Sequence, residues 1–252
     1  MDRSSRGQVD PFIVMDMVEE ARLLEQAGRH IIHMEVGQPG TGAPKDAVAA
    51  LAQRMHVDPL GYTVSLGLPE LRAGIAGLYQ RWYGVDLNPD RVIVTAGSSG
   101  AFLLAFTALF DPGYRVGIGE PGYPSYRQIL KALSLQAVGV QTSTANRLQP
   151  VPGDLAGLDL QGLIVASPGN PTGTMLGRQA LAELIAHADQ KRIRFVSDEI
   201  YHGLHYADRA VSALEISDDV YVINSFSKYF SMTGWRVGWM VVPEDHIRTI
   251  ER

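Results

Sequence analysis

The chain has 252 residues, enough for one large domain or two small ones. Its 22 Lys and Arg against 27 Asp and Glu give a net charge of −5, which argues against the concentrated basic surface of a nucleic-acid binder. With no cysteine, a disulfide framework, a thiolate metal site and a cysteine nucleophile are all excluded. The polar start Met1-Asp2-Arg3-Ser4 leads into no signal-like apolar core, and no apolar run is long enough for a bilayer. The expectation is a soluble, cytoplasmic protein.

Residues 11–28 carry Ile13, Met17, Ala21 and Leu24 at helical spacing, with Gly28 as a stop, and predict an amphipathic helix. Residues 31–36 predict a short strand ending at Gly37-Gln38-Pro39-Gly40. Helices follow over 44–55 and 69–83. From there the two element types alternate. Strands are expected at 92–95, 115–119, 136–140, 163–166 and 193–198. Helices are expected at 100–110, 123–133 and 178–190. Two more strands are expected at 221–225 and 237–242. Residues 141–159 read as loop, and 243–252 as the opening of a helix. Short apolar strands alternating with helices imply an α/β fold whose mostly parallel sheet is covered on both faces, a three-layer α/β/α domain.

Three patterns carry little weight. Gly117-Ile118-Gly119-Glu120-Pro121-Gly122 fits a dinucleotide-binding turn, but two prolines disturb the helix entry and no acidic ribose partner lies about 20 residues on. Ser225-Phe226-Ser227-Lys228 fits the S-x-x-K string of penicillin-binding proteins without its companion motifs. His202 and His205 near Asp198 lack further metal ligands, so a surface or supporting role fits them better.

The chemistry concentrates in Ser225-Phe226-Ser227-Lys228-Tyr229-Phe230-Ser231-Met232-Thr233-Gly234-Trp235-Arg236. A lysine whose pKa is lowered by burial and a cationic neighbour forms Schiff bases with carbonyls. Arg236 is a fixed cation suited to phosphate. An aldehyde that carries a phosphate would use both groups, and pyridoxal 5′-phosphate is such a molecule. A solvated lysine and a structural arginine fit the same segment. Other strings admit the same pair of interpretations. Thr95-Ala96-Gly97-Ser98-Ser99-Gly100 is either a phosphate cradle at a helix N-terminus or an ordinary turn. Tyr123, in Pro121-Gly122-Tyr123-Pro124, either stacks on a flat ring or simply packs. Asn170, in Ser167-Pro168-Gly169-Asn170-Pro171-Thr172-Gly173, is held extended before proline, so its amide can reach a ring oxygen; Asn-Pro turns are also common punctuation. Asp198 closes an apolar strand, where a carboxylate needs a partner such as a pyridinium N–H, or else caps a helix. Tyr201 lies three residues on, and Tyr62 alone is an unremarkable loop residue.

Taken together, VGQPG, YTVSLGLPELR, TAGSSGA, PGYPSY, SPGNPTG, SDEIYHGL and SFSKYFSMTGWRVGW occur in the order found in fold-type I class I/II aminotransferases, which the chain resembles from about residue 11 to its end. The resemblance implies pyridoxal 5′-phosphate as cofactor and the transfer of an amino group between an L-amino acid and a 2-oxo acid. By position it implies that Lys228 forms the Schiff base and moves the proton, and that Asp198 pairs with the pyridine nitrogen. Asn170 and Tyr201 would bond the ring's phenolic oxygen, and Tyr123 would stack on the ring. Ser98, Ser99, Ser225 and Arg236 would hold the phosphate. Gly37 and Asn170 would line the substrate site, and Tyr62 would reach the phosphate of the neighbouring subunit in a homodimer.

The resemblance also implies a division into an N-terminal helix and arm at 1–43, shared with a small domain and the dimer interface, and a cofactor-binding large domain at 44–252. Such enzymes continue past the position of Arg252 into most of that small domain, which carries an arginine for the substrate carboxylate. The expectation is therefore a C-terminally truncated chain that binds its cofactor weakly and turns over poorly. Two alternatives accompany the transferase reading: a C–S β-lyase reaction on the same fold, and a cofactor-binding fragment without catalysis.

Overall fold

Residues 4–252 are described by a computed structural model. Helices α1 (Ile13–Gln26) and α2 (Lys45–Val57) come first. Only Ala21 of α1 is buried, and no residue of α2 is. The core begins with α3 (Pro69–Tyr83), which opens on proline at its first turn and ends on Gly84 in the left-handed region at φ +70°. That backbone suits a residue without Cβ and lets the Gly84 N–H close on the Gln80 carbonyl. Strand β1 (Val92–Thr95) then runs into α4 (Gly97–Leu109), β2 (Arg115–Glu120) into α5 (Pro124–Ala132), and β3 (Gln136–Gln141) follows. The second half comprises β4 (Gly162–Ala166), α6 (Arg178–Gln190), β5 (Arg194–Asp198), β6 (Tyr221–Ser225), β7 (Gly238–Val241) and α7 (Ile247–Glu251).

The seven strands form one sheet in the order β1-β7-β6-β5-β4-β2-β3. Four of the six pairings are parallel; β7 runs antiparallel to both of its neighbours. Side chains alternate between two cores, as a strand covered on both faces requires. Leu163, Val165, Phe195, Val222 and Trp239 pack under α3 and α6, while Ile164, Val196, Ile223 and Met240 pack under α4 and α5. This is the expected three-layer α/β arrangement. Phe106, fully buried between α4 and the sheet, tests the second core. Phe106→Ala should destabilise the fold by about 3–5 kcal/mol in urea titration.

The strand expected at 31–36 does not form. A strand needs a ladder partner, and this run pairs with neither edge strand of the sheet, β1 or β3. Ile32 and Met34 project into solvent at 77% and 88% exposure. His33 instead sits between Glu25 and Glu35, at 2.9 and 2.6 Å. The loop over 141–159 includes two short 3₁₀ turns, and Leu155 is buried in the core.

Register sets the location of the site. Thr95 pairs with Gly238, Gly238 with Ser225, and Ala166 with Asp198. The ends of β1, β4, β5 and β6 and the start of β7 therefore share one sheet edge. Ligands of open α/β sheets bind outside that carboxyl edge.

Candidate active site

Lys228 lies in the turn after β6, with its amine donating to the Gly37 carbonyl at 2.6 Å. A second contact from the same arm joins Thr41 and Ser231 through their hydroxyls at 2.7 Å. The lysine amine lies 5.7 Å from the centre of the Tyr201 ring. Partial burial pushes its pKa down, Asp198 opposes that shift, and the Arg236 guanidinium adds to it. These are the two influences a nucleophilic lysine needs, a drier setting and a neighbouring cation.

Asp198 ends β5 on the α5 side of the sheet and is 4% exposed. One carboxylate oxygen accepts from the Ile200 N–H at 3.1 Å, and the other from the Tyr126 hydroxyl. Desolvation pushes its pKa up to about 6, against the pull of these two donors; Glu199 raises it further and Lys228 lowers it. The Ile200 contact closes a turn and is not the helix cap the sequence also allowed, because no helix begins directly after β5.

The left-handed turn at Gly97 (φ +72°) brings the start of α4 against Arg236. A Cβ at position 97 would lie 2.4 Å from the arginine Nη2 and would sit on a positive-φ backbone, so glycine lets the guanidinium stay in place without strain. Gly238 fits as tightly, since a Cβ there would lie 2.9 Å from the Ser98 nitrogen. The first N–H groups of a helix have no partner within it, and a cation now stands beside them. Ser225 is buried, and its hydroxyl bonds Ser227 at 2.7 Å and the Val237 carbonyl at 3.2 Å. Asn170 donates to the Tyr201 hydroxyl at 3.3 Å. Tyr123 meets Tyr126 edge-on at 5.4 Å and Phe12 at 6.0 Å.

The geometry thus brings Lys228 and Gly37 together, joins Asn170 to Tyr201, and seats Arg236 at Gly97 beside Ser98. Tyr62 stands apart, fully exposed. Sequence reasoning assigned no role to Tyr126. His202 is not a ligand. Buried and pushed down to a pKa of about 4, its neutral ring donates from Nε2 to the Ser167 carbonyl at 2.8 Å and accepts at Nδ1 from Tyr83 at 2.7 Å. No cluster of potential metal ligands occurs among the described residues. The dinucleotide-like glycines are explained by packing: a Cβ on Gly117 would press on Leu160, Leu163 and Val140. A cavity of about 480 Å³ opens at the far ends of β5 and β6, beside Phe195, Tyr221 and His246, and is lined by none of the candidate residues.

Beneath the edge, Glu199 is buried and accepts from Ser197, from Ser212 and from the Ala213 N–H at 2.8 Å. Burial nevertheless pushes its pKa up from 4.5 to about 7. The folded state therefore holds this proton more tightly than the unfolded chain does. The stability that Glu199 contributes is present below about pH 4.5 and is lost as the pH rises towards 7. Glu199→Gln should remove that slope, on the order of 3 kcal/mol across the window, in urea titrations at pH 4.5 and 7.5. An unchanged difference between the two pH values would place the titration elsewhere.

A three-layer α/β domain that gathers a lysine, a buried aspartate and an arginine-backed helix N-terminus at one sheet edge is the architecture of a cofactor-dependent enzyme of the aminotransferase type. The chain belongs to the aminotransferase class I and II family, whose model matches residues 29–252. Pyridoxal 5′-phosphate is the cofactor of that family. The valine–pyruvate aminotransferase of Mycobacterium tuberculosis is 46% identical over 242 residues, covering 94% of this chain and 62% of that protein. A crystal structure from Silicibacter pomeroyi, assigned to the aminotransferases, is 65% identical with a TM-score of 0.93, covering 100% of this chain and 65% of that one. Aspartate aminotransferase from Thermus thermophilus, solved with maleate, superposes at a TM-score of 0.94 with 28% identity, covering 100% of this chain and 67% of that one. The chain thus spans a little under two thirds of the length of the first two relatives. No helix among the described residues is long and apolar enough to cross a membrane.

Proposed function

We propose that the site binds pyridoxal 5′-phosphate and serves the exchange of an amino group between an L-amino acid and a 2-oxo acid. The observation that carries this reading is the convergence of Lys228, Asp198 and Arg236 on one sheet edge, close enough for both charged partners to shift the lysine pKa. The residues fit the cofactor. Arg236 and the first N–H groups of α4 form a cationic cradle that a Cβ at position 97 would fill, which suits a phosphate. The buried Asp198 carboxylate suits a ring N–H. When bound, the cofactor supplies an aldehyde for an amine and a protonated ring that withdraws electrons from the substrate α-carbon.

This chain's residues do the remainder. Lys228 would hold the cofactor's aldehyde carbon through Nζ and, as general base and acid, would hold and move the proton of the substrate α-carbon. Asp198 would keep the ring nitrogen protonated through its opposite charge. Asn170 and Tyr201, already bonded to each other, present an amide N–H and a phenol to the ring's phenolic oxygen. Tyr123 would pack against one face of the ring. Ser98, Ser99, Ser225 and Arg236 fix the phosphate, which aligns the bond to be broken. Gly37, whose carbonyl holds the lysine amine, lines the substrate side. The division at residue 43 and a homodimer that delivers Tyr62 to the partner's phosphate belong to the same proposal. The solvent-facing Ile32, Met34, Val57 and Tyr62 support it, and sedentation velocity tests it by reading twice the chain mass.

The relative named for valine and pyruvate makes that pair the first to assay. With pyridoxal 5′-phosphate added, L-valine and pyruvate should yield L-alanine and 3-methyl-2-oxobutanoate in equal amounts. Release of ammonia with no new amino acid, from any L-amino acid offered, would refute transamination.

A further inference from the structure

We infer that Tyr126 is a positioning residue: its hydroxyl fixes the plane of the Asp198 carboxylate and holds it as an acceptor aimed at the cofactor's ring nitrogen. The inference rests on the cofactor reading above and assigns a role to a side chain that reading does not use. Asp198 leaves β5 towards the α5 face, where Tyr126 is 5% exposed in the core beside Phe102 and Tyr123. With Ile200 N–H on one oxygen and Tyr126 O–H on the other, the carboxylate is held at both ends and cannot turn about its terminal torsion. The remaining lone pairs are the ones left for a ring N–H.

The charge balance points the same way. A buried carboxylate that is to keep a ring nitrogen protonated has to remain ionised, and desolvation works against that. Tyr126 is the largest opposing influence on Asp198. As a neutral donor it favours the ionised form without neutralising it, as an arginine at the same distance would. Burial and the neighbouring Asp198 charge push the Tyr126 phenol well above its ordinary pKa, so the hydroxyl keeps its proton. The other titratable groups that act on Asp198 are Glu199, which raises its pKa, and Lys228, which lowers it. Neither substitutes for the hydroxyl, because neither makes a hydrogen bond to the carboxylate.

The test uses the whole 252-residue chain with two variants and two readouts. Tyr126→Phe keeps the ring and its aromatic neighbours and removes only the donor. In the apoprotein labelled at aspartate Cγ, with the signal assigned through Asp198→Asn, Tyr126→Phe should raise the Asp198 titration midpoint by about one to two pH units, the size of one hydrogen bond to a charged group. Fluorotyrosine at 126, a stronger donor in the same shape, should lower it. In protein loaded with ¹⁵N-pyridoxal 5′-phosphate, Tyr126→Phe should move the pyridine nitrogen signal towards its unprotonated position. A midpoint that moves with neither variant overturns the inference. A rise with phenylalanine but no fall with fluorotyrosine marks a packing effect and overturns it as well, as does a pyridine signal indifferent to Tyr126→Phe. If the wild-type chain takes up no cofactor, the cofactor reading fails, and the apoprotein titration alone decides the Tyr126–Asp198 contact.

Discussion

Lys228→Ala should leave no borohydride-reducible adduct when the chain is mixed with pyridoxal 5′-phosphate, where the wild type gains the mass of one reduced cofactor. The amine is singled out by its setting: it sits at the carboxyl edge of the sheet, its pKa is pushed down by burial, and Arg236 adds to that shift. The same substitution should cut amino-group transfer by at least roughly 10²–10⁴-fold, the range for loss of a positioned acid–base group, and further because capture is lost too. The fold should survive, because Lys228 makes one hydrogen bond, to Gly37, and packs in neither core. Intact mass after reduction, alongside an unchanged thermal midpoint, is the measurement. An adduct that persists in Lys228→Ala would mean that another lysine carries the chemistry.

Asp198→Asn should slow α-proton exchange by about 10²–10³-fold or more, the loss seen when one preorganised electrostatic partner is removed. The amide retains the shape and can still accept from Ile200 or Tyr126, so cofactor uptake should fall less than the exchange rate does. The contrast between the two discriminates the roles. Deuterium wash-out from the substrate α-position, normalised to bound cofactor, should fall steeply. If wash-out per bound cofactor is normal and only the unfolding midpoint drops, Asp198 serves the turn after β5 and nothing more. Cofactor uptake by the wild type should weaken on acidification through about pH 6, where Asp198 in the free site takes up its proton.

The alternation of strands and helices after residue 92 was readable because each short apolar run has its own period and its own turn residues. Strand β6 and helices α3 and α6 match the expected spans. The run at 31–36 misled because composition favours a strand, whereas a strand exists only where it pairs with a neighbour, and this run docks on no edge of the sheet. Most of the candidate site was legible because its members sit at strand ends, where a polar residue after an apolar run stands out: Asp198 after Phe195-Val196-Ser197, and Ser225 after Tyr221-Val222-Ile223. Tyr126 and Glu199 were not. Their importance comes from a hydrogen bond made across the sheet edge and from burial beneath it, and neither leaves a mark on neighbouring sequence. Glu199 looked like an ordinary charged residue after Asp198, yet it is 1% exposed.

The placement of β7 has a consequence for the order in which this molecule can assemble. It is the last strand in the chain, yet it lies between β1 and β6, and its first residue packs against the turn that opens α4. Until Val241 leaves the ribosome, Val92 has no ladder partner. At roughly 5–20 residues per second, that leaves β1 an unpaired edge for about 7–30 s of synthesis. Pairings this distant in sequence are slow to close, and they expose apolar strands meanwhile. The approach of Gly97 to Arg236 needs β7 in place, so if this is where the cofactor is held, free pyridoxal 5′-phosphate should draw nascent chains towards the state with β7 inserted.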